Sequence, residues 1–191
     1  ALRKGTVANK IQPLLCGSAL KHMGIQLLLD AVVDYLPSPL EVGAIAGHET
    51  LRSDKVIRRK PDPDEPFSAL VFKVVSDQHG DLHFIRIYSG HLGGGTRVLN
   101  STQDKKENIS RIWEMHAQRR IKRDEAVAGD IVAVVGLKHS LTGDTLCDTR
   151  HPIVLERLEF PEPVITMSIE PRSSADKEHL VDALNTLRRE D

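Results

Sequence analysis

Leu82-His-Phe-Ile-Arg-Ile-Tyr88, followed by Ser89-Gly90, by Gly93-Gly94-Gly95 and by Thr96-Arg-Val-Leu-Asn100, is the stretch whose reading decides the fold. Two short apolar runs flank a glycine cluster, and glycine supplies the positive φ angles with which a hairpin reverses its strands without splaying them. Outward from this piece the pattern repeats. LVFKVV (70–75), ISRIWEM (109–115), DIVAVVGL (130–137) and PIVLERLEF (152–160) are similar short apolar segments. Gly, Pro and Asp-Gly-like signals punctuate them at roughly ten-residue intervals, the rhythm of an antiparallel β-barrel or sandwich between Phe67 and Phe160. The fold class is therefore mainly β.

The flanks read differently. ALRKGTVANK (1–10) is polar and basic and is assigned nothing beyond the end of a helix, IQPLLC (11–16) reads as a short strand, and residues 17–21 as a loop. Ile25, Leu28, Leu29, Val32 and Leu36 recur at helical spacing on one face. Pro37 ends that helix, because the residue before a proline is pushed out of the α region. Residues 1–36 thus resemble the tail of an α/β domain. Prolines 37, 39, 61, 63 and 66 with interspersed charges mark residues 37–66 as a linker or edge segment, in which Arg58-Arg59-Lys60 reads as a solvated charge run. Beyond Pro161 and Pro163, Ile165, Met167 and Ile169 alternate with polar residues as in a half-buried strand. Ser173 and Asp176 form a capping-box-like helix start, and Leu180, Ala183, Leu184 and Leu187 share a helical face. Residues 162–191 therefore read as the β-α start of another domain.

Composition narrows the function classes. The 191 residues suffice for one ordinary core plus pieces, and a net charge of −1 excludes a chain that binds polyanions by bulk charge, so any nucleic-acid surface must be local. Two cysteines, Cys16 and Cys147, are too sparse for a disulfide scaffold or a four-ligand zinc site, and fit a reducing cytosol. No apolar run approaches the ~20 residues of a membrane span. No basic-then-apolar leader is present, so no secretion signal is expected.

Several stretches imitate chemistry. Asp77-Gln78-His79-Gly80 has the form of a magnesium-binding DxxG, but its place between two strand-like runs makes it a hairpin turn. Asn9-Lys10-Ile11-Gln12 begins like the guanine-reading NKxD and lacks its carboxylate, and Gly93-Gly94-Gly95 lacks the following helix and GK[ST] of a phosphate cradle. His79 and His83 stand four apart, a metal-ligand spacing on a helix but not in a turn and strand. The densest positive cluster is His116, Arg119, Arg120, Lys122 and Arg123. A solvated loop is its default reading, and phosphate contact the competitor, because guanidinium pairs with phosphate and releases counterions. Asp124 and Glu125 partly cancel its field.

Cys16-Gly-Ser-Ala-Leu-Lys21, the helix ending in Leu36-Pro-Ser-Pro39, Glu65-Pro-Phe-Ser-Ala-Leu-Val-Phe-Lys73, Arg86-Ile-Tyr-Ser-Gly90, Ala128-Gly-Asp-Ile131, Gly136-Leu-Lys138, Thr142-Gly-Asp-Thr-Leu-Cys147 and Glu159-Phe-Pro-Glu-Pro-Val-Ile165 occur in that order. Together they resemble elongation factor G, the GTP-hydrolysing ribosomal translocase family, over residues 11–191. The resemblance implies the end of a GTP-binding domain (1–36), a linker (37–66), a translation-factor β-barrel as domain II (67–161) and the incomplete, ferredoxin-like start of domain III (162–191). It implies a cytoplasmic parent protein that binds and hydrolyses GTP to drive tRNA and mRNA through the ribosome. Its partners are then the ribosome and small-subunit ribosomal RNA, with neither membrane nor DNA.

The resemblance also implies that Ser18, Ala19 and Leu20 are the guanine loop, with the Ala19 amide donating to the guanine carbonyl. No catalytic residue and no metal ligand of this chain corresponds to the family's, so phosphate and magnesium binding belong to parts outside it, and the fragment itself is not expected to hydrolyse GTP. Arg119, Arg120, Lys122 and Arg123 are the candidate RNA contacts. Leu92-Gly93-Gly94-Gly95-Thr96 and His139-Ser140 depart from the common family pattern, which leaves open a paralogue for ribosome recycling. A release or ribosome-protection factor, which shares the barrel, and a non-catalytic RNA- or protein-binding barrel module stay open as well.

Overall fold

The computed structural model describes residues 1–77, 80–117, 119–155, 164–171, 173 and 176–190. The chain forms two compact units, Ala1–Gly43 and Ala44–Asp191.

The first unit holds three helices: α1 (Leu2–Val7), α2 (Ile25–Tyr35) and α3 (Pro39–Val42). Arg3 ties them together. Its guanidinium donates to the Asp34 carbonyl (2.7 Å) at the C-terminal end of α2, where carbonyls lack helical partners, and to both carboxylate oxygens of Glu41 (2.6 and 2.7 Å). Glu41 is in turn the N3 residue of a capping box with Ser38. Its backbone hydrogen bond from Ser38, then Arg3, holds its carboxyl below the usual carboxylate range. The helix expected over 25–36 forms and stops before Pro37. Its apolar stripe, however, is largely exposed within this unit, and Ala31 is its one buried residue. Residues 11–16, where a strand was expected, have no regular structure. A strand needs a neighbour for its N–H and C=O groups, and among the described residues none pairs with this segment.

The second unit is built on a long hairpin, β3 (Ser68–Asp77) and β4 (Gly80–Ser89). Asp77 pairs with Gly80, as the hairpin reading required, and Gln78 and His79 lie outside the described residues. Along β4 the side chains of His83, Ile85, Ile87 and Ser89 are buried while Phe84, Arg86 and Tyr88 are only partly so, the period-2 alternation visible in the sequence. The β3–β4 register shifts twice, between Ser68 and Ala69 and between Val71 and Lys73. Such bulges bend a strand and increase its twist, which is how a sheet curls.

The remaining strands are β5 (His91–Gly93), β6 (Arg97–Asn100), β7 (Lys105–Asn108), β8 (Arg111–His116), β9 (Arg119–Arg123), β10 (Glu125–Val127), β11 (Ile131–Val135), β12 (Thr145–Cys147) and β13 (Val154–Leu155). They follow β1 (Ile45–His48) and β2 (Val56–Arg59). Eight strands form one antiparallel sheet in the order β7-β6-β12-β3-β4-β11-β8-β9. The two-stranded β10–β5 ladder joins its ends. β10 continues directly from β9 at one edge, and β5 leads through Gly94-Gly95 into β6 near the other, so the sheet wraps into a barrel and its edges are largely removed. Inside lie Val71, Val74, Ile85, Ile87, Leu92, Val98, Ile109, Ile112, Val134 and Leu146, all essentially inaccessible to solvent.

The segment 37–66, expected as a linker or edge, contains more than a connection. It carries α3 and the strands β1 and β2, and β1 pairs with both β2 and β13. Ile45 and Ile57 of this small sheet pack with Leu70, Tyr88 and Leu99 around buried Cys147, Ile153 and Leu155, a second apolar cluster outside the barrel core. Its prolines and charges concealed two four-residue strands whose apolar content is only one or two residues each.

At the other end, the strand expected over Ile165, Met167 and Ile169 is not formed. Residues 164–171 have no regular structure and these three side chains are exposed, again with no described strand alongside. Within PIVLERLEF, Val154–Leu155 form β13 after buried Ile153, and residues 156–160 lie outside the described residues. The expected helix start is present: the Asp176 amide donates to Ser173 Oγ (3.3 Å), which donates to Asp176 Oδ2 (2.7 Å), and α4 spans Asp176–Glu190. No helix among the described residues is long and apolar enough to cross a membrane.

Candidate functional site

Ser18, Ala19 and Leu20 stand in a tight turn closed by an antiparallel bridge, in which the Ser18 amide donates to the Met23 carbonyl (3.0 Å) and the Met23 amide to the Ser18 carbonyl (3.0 Å). The Lys21 amide donates to Ser18 Oγ (3.4 Å) and the His22 amide to the Ala19 carbonyl (3.1 Å). These bonds use the polar groups of Ser18 but leave the amides of Ala19 and Leu20 without partners among the described residues, at exposed positions. Two free N–H groups on a small-residue turn fit an acceptor such as a purine carbonyl. Among the described residues no group of three His, Cys, Asp or Glu side chains is placed to hold a metal ion.

The basic cluster is not a loop. Arg119–Arg123 is the edge strand β9, paired with β8, and all five of its residues are exposed. Successive strand residues point to opposite faces, so Arg119 and Arg123 lie on one face and Arg120 and Lys122 on the other. Acids stand beside at least two of these cations: Arg123 donates to Glu114 (2.7 Å), and Lys122 lies 3.7 Å from Asp124. The structure therefore divides a cluster that looks continuous in sequence. Strand alternation in RRIKR was hidden because four of its five residues are charged.

A third feature escaped the sequence. Residues 136–144 run beside β7 and are held by a buried polar network. Glu107, only 5% exposed, accepts from the amides of Lys138 (2.5 Å) and His139 (3.2 Å) and from the Ser140 hydroxyl (2.5 Å). Asn100 donates from Nδ2 to Ser140 Oγ (3.0 Å) and to Asp144 Oδ2 (2.9 Å) while its Oδ1 accepts from the Gln103 amide (3.0 Å). His83 Nε2 donates to the Ser140 carbonyl (3.1 Å), which can only accept, so the proton sits on Nε2 and Nδ1 is buried without a partner. Burial lowers the His83 pKa, against the opposing pull of the Ser140 carbonyl, Asp81 and Glu107. For Glu107 burial pushes upward, but the Ser140 hydroxyl and the two amides outweigh it and hold the carboxyl below its ordinary value.

Outside this network lies a groove of about 300 Å³ lined by Arg97, Lys106, Glu107, Asn108, Gly136, Lys138 and His139. Lys105 adjoins it, its Nζ 3.4 Å from His139 Nδ1. The cations come from β6, β7 and the 136–144 segment, so no run of sequence announced them. Paired basic residues at Lys105-Lys106 and Lys138-His139, each next to an inward-facing polar position, were the available signal.

The barrel and the loops it positions define a class when set beside known families. Residues 66–149 match the model described as elongation factor G domain 2, and residues 160–191 the model described as elongation factor G, domain III; the chain is thus a module of a translation elongation factor. It belongs to the elongation factor G family. The chain also matches a crystal structure of a protein from Thermus thermophilus with a TM-score of 0.72 at 22% identity, a likeness of fold. That match covers 100% of this chain and 26% of the other, so the chain spans about a quarter of that protein's length.

Proposed function

We propose that this chain is the part of an elongation factor G that joins the GTP-binding domain to the body of the factor. Residues 1–36 end the GTP-binding domain, 67–161 are domain II, and 162–191 open domain III. The whole protein binds and hydrolyses GTP on the ribosome to move tRNA and mRNA, and works in the cytoplasm. In this chain the Ala19 and Leu20 amides hold the guanine, Ser18 shapes their turn, and the barrel docks on small-subunit ribosomal RNA with β9 among its contacts. GTP, when bound, supplies the hydrolysis that drives the cycle, and the residues here contribute only the orientation of its base. The match of the barrel, residues 66–149, to domain 2 carries this reading.

Two measurements test it. The chain is expected to co-sediment with small ribosomal subunits at about 50 mM KCl and to dissociate at several-fold higher salt, because phosphate contacts release counterions; no co-sedimentation at low salt would contradict the docking role. Calorimetry with GTP is expected to give no micromolar affinity, since a base contact without phosphate contacts lacks the charge-assisted hydrogen bonds that hold a nucleotide. Micromolar binding would mean that this chain reaches the phosphates.

A further inference from the structure

The groove between β6, β7 and the 136–144 segment is built to receive a polyanion. Arg97 and Lys106 stand on the same face of the β6–β7 ladder, since Arg97 pairs with Asn108 and Leu99 with Lys106. Lys138 and His139 of the 136–144 segment line the same groove. Among the described residues no acidic side chain lies within ion-pair distance of Arg97, Lys106 or Lys138, whereas in β9 Arg123 is engaged by Glu114 and Lys122 has Asp124 beside it. The one carboxylate in the groove, Glu107, is turned inward and taken up by two amides and a hydroxyl. Those same bonds fix the backbone that carries Lys138 and His139. Gly136 holds the start of the segment against the β7–β8 connection: its φ is +108°, and a Cβ there would lie 2.6 Å from the Asn108 carbonyl oxygen.

We infer that this groove, rather than β9, is the principal RNA-binding surface of the barrel, seating one stretch of phosphate backbone across Arg97, Lys106 and Lys138 with Lys105 and His139 at its margin. This rests on the reading of the chain as a ribosome-docking module and assigns the surface that does the docking. Cations held at fixed separations without acidic partners suit successive phosphates, and they add affinity without reading sequence. An acidic protein segment, with fewer charges per unit length than a nucleic-acid backbone, is the less favoured occupant.

The test compares Arg97→Gln/Lys106→Gln/Lys138→Gln with Arg119→Gln/Arg120→Gln/Lys122→Gln/Arg123→Gln in the 191-residue chain. The probes are a fluorescent RNA duplex of about 20 base pairs and mixed sequence, polyglutamate and isolated small ribosomal subunits, each across a KCl series. The groove variant is expected to lose about 10- to 100-fold in duplex affinity at low salt and to shed about two to three from the slope of log K against log salt, while the β9 variant loses less than about 3-fold. Subunit binding is expected to follow the same order. Unchanged affinity and slope in the groove variant, or a larger loss in the β9 variant, overturns the assignment. So does polyglutamate binding as tightly as the duplex and depending on the same three residues, which identifies an acidic protein site. Should Lys138→Gln lower the melting temperature, Arg97→Gln/Lys106→Gln alone decides, with about a 5- to 20-fold loss expected. Failure of the unaltered chain to bind subunits defeats the docking reading itself. Subunit binding that the groove variant retains defeats only the groove.

Discussion

Gly90→Ala is expected to destabilise the barrel by about 2–5 kcal/mol, seen as a lower urea midpoint with an unchanged slope. Gly90 sits at φ +74° where β4 turns into β5, and a Cβ placed on it would stand 2.6 Å from the Glu65 carbonyl oxygen and 2.6 Å from the amide nitrogen and Cα of Phe67. All three atoms are backbone. No rotamer change can move them, and the segment they belong to leads directly into β3 at the centre of the sheet. Its surroundings are tightly tied: the Gly90 amide donates to the Asp62 carbonyl (2.9 Å), the Ala128 amide donates to the Gly90 carbonyl (2.9 Å), and Ser89 Oγ donates to the Pro66 carbonyl (2.7 Å). Gly95→Ala provides the comparison, because Gly95 has φ +81° but nothing within 4 Å of its Cβ position. It isolates the left-handed conformational cost, about 1–2 kcal/mol. Equal losses in the two variants would show that the close approach at Gly90 contributes nothing.

How much of this was legible in sequence depends on where the information sits. LHFIRIY declared its strand because one face meets the core and the other does not, and apolar alternation records that directly. KKEN (105–108) and RRIKR (119–123) are strands at the two edges of the eight-stranded sheet, where exposure removes the need for apolar residues, so their composition resembled loops. β1 and β2 were hidden by the prolines on either side of them, at 37 and 39 before β1 and at 61, 63 and 66 after β2. Segments 11–16 and 165–169 show the opposite error: a strand-like composition does not make a strand without a partner strand to complete its hydrogen bonds. The turn at Ser18-Ala19-Leu20, proposed to read guanine, had no signal of its own beyond small residues, and only its neighbours in a family pattern singled it out.

The buried network illustrates a further limit of local patterns. Glu107 is a charged residue at an inward register position, opposite Val98, and its donors lie 31 to 33 positions ahead in the chain. Read in isolation it belongs with the lysines before it as surface. Only the packing of the 136–144 segment beside β7 makes it a structural anchor, and that same packing assembles the cationic groove from residues spread between Arg97 and His139.

Glu107→Ala is accordingly expected to cost about 2–4 kcal/mol, because it leaves two backbone amides and a buried hydroxyl without their acceptor. Glu107→Gln, which keeps one accepting oxygen but turns an NH₂ toward donors, should cost about half as much. Two ionisable members of the network, His83 and Glu107, also make stability pH-dependent, with the sign fixed by the direction of each shift. His83 has a folded pKa below the ordinary 6.5, so as pH falls below 6.5 the unfolded chain takes up a proton that the folded barrel refuses, and stability declines until His83 itself protonates. Glu107 has a folded pKa below the ordinary 4.5, so its contribution is complete above 4.5 and is lost as pH falls through the lower folded value. Acid should therefore weaken the barrel in two successive stages. Urea midpoints between about pH 3 and 8 will separate them: His83→Gln, which retains a donor for the Ser140 carbonyl without titrating, flattens the upper stage, and Glu107→Gln reduces the lower one, leaving the share of Asp148, whose carboxyl is also held below its ordinary value. If the His83→Gln profile runs parallel to that of the unaltered chain through pH 6.5, the buried imidazole is not the source of the upper stage. Because Glu107 and His83 meet at Ser140, the double variant should fall short of the sum of the two single losses.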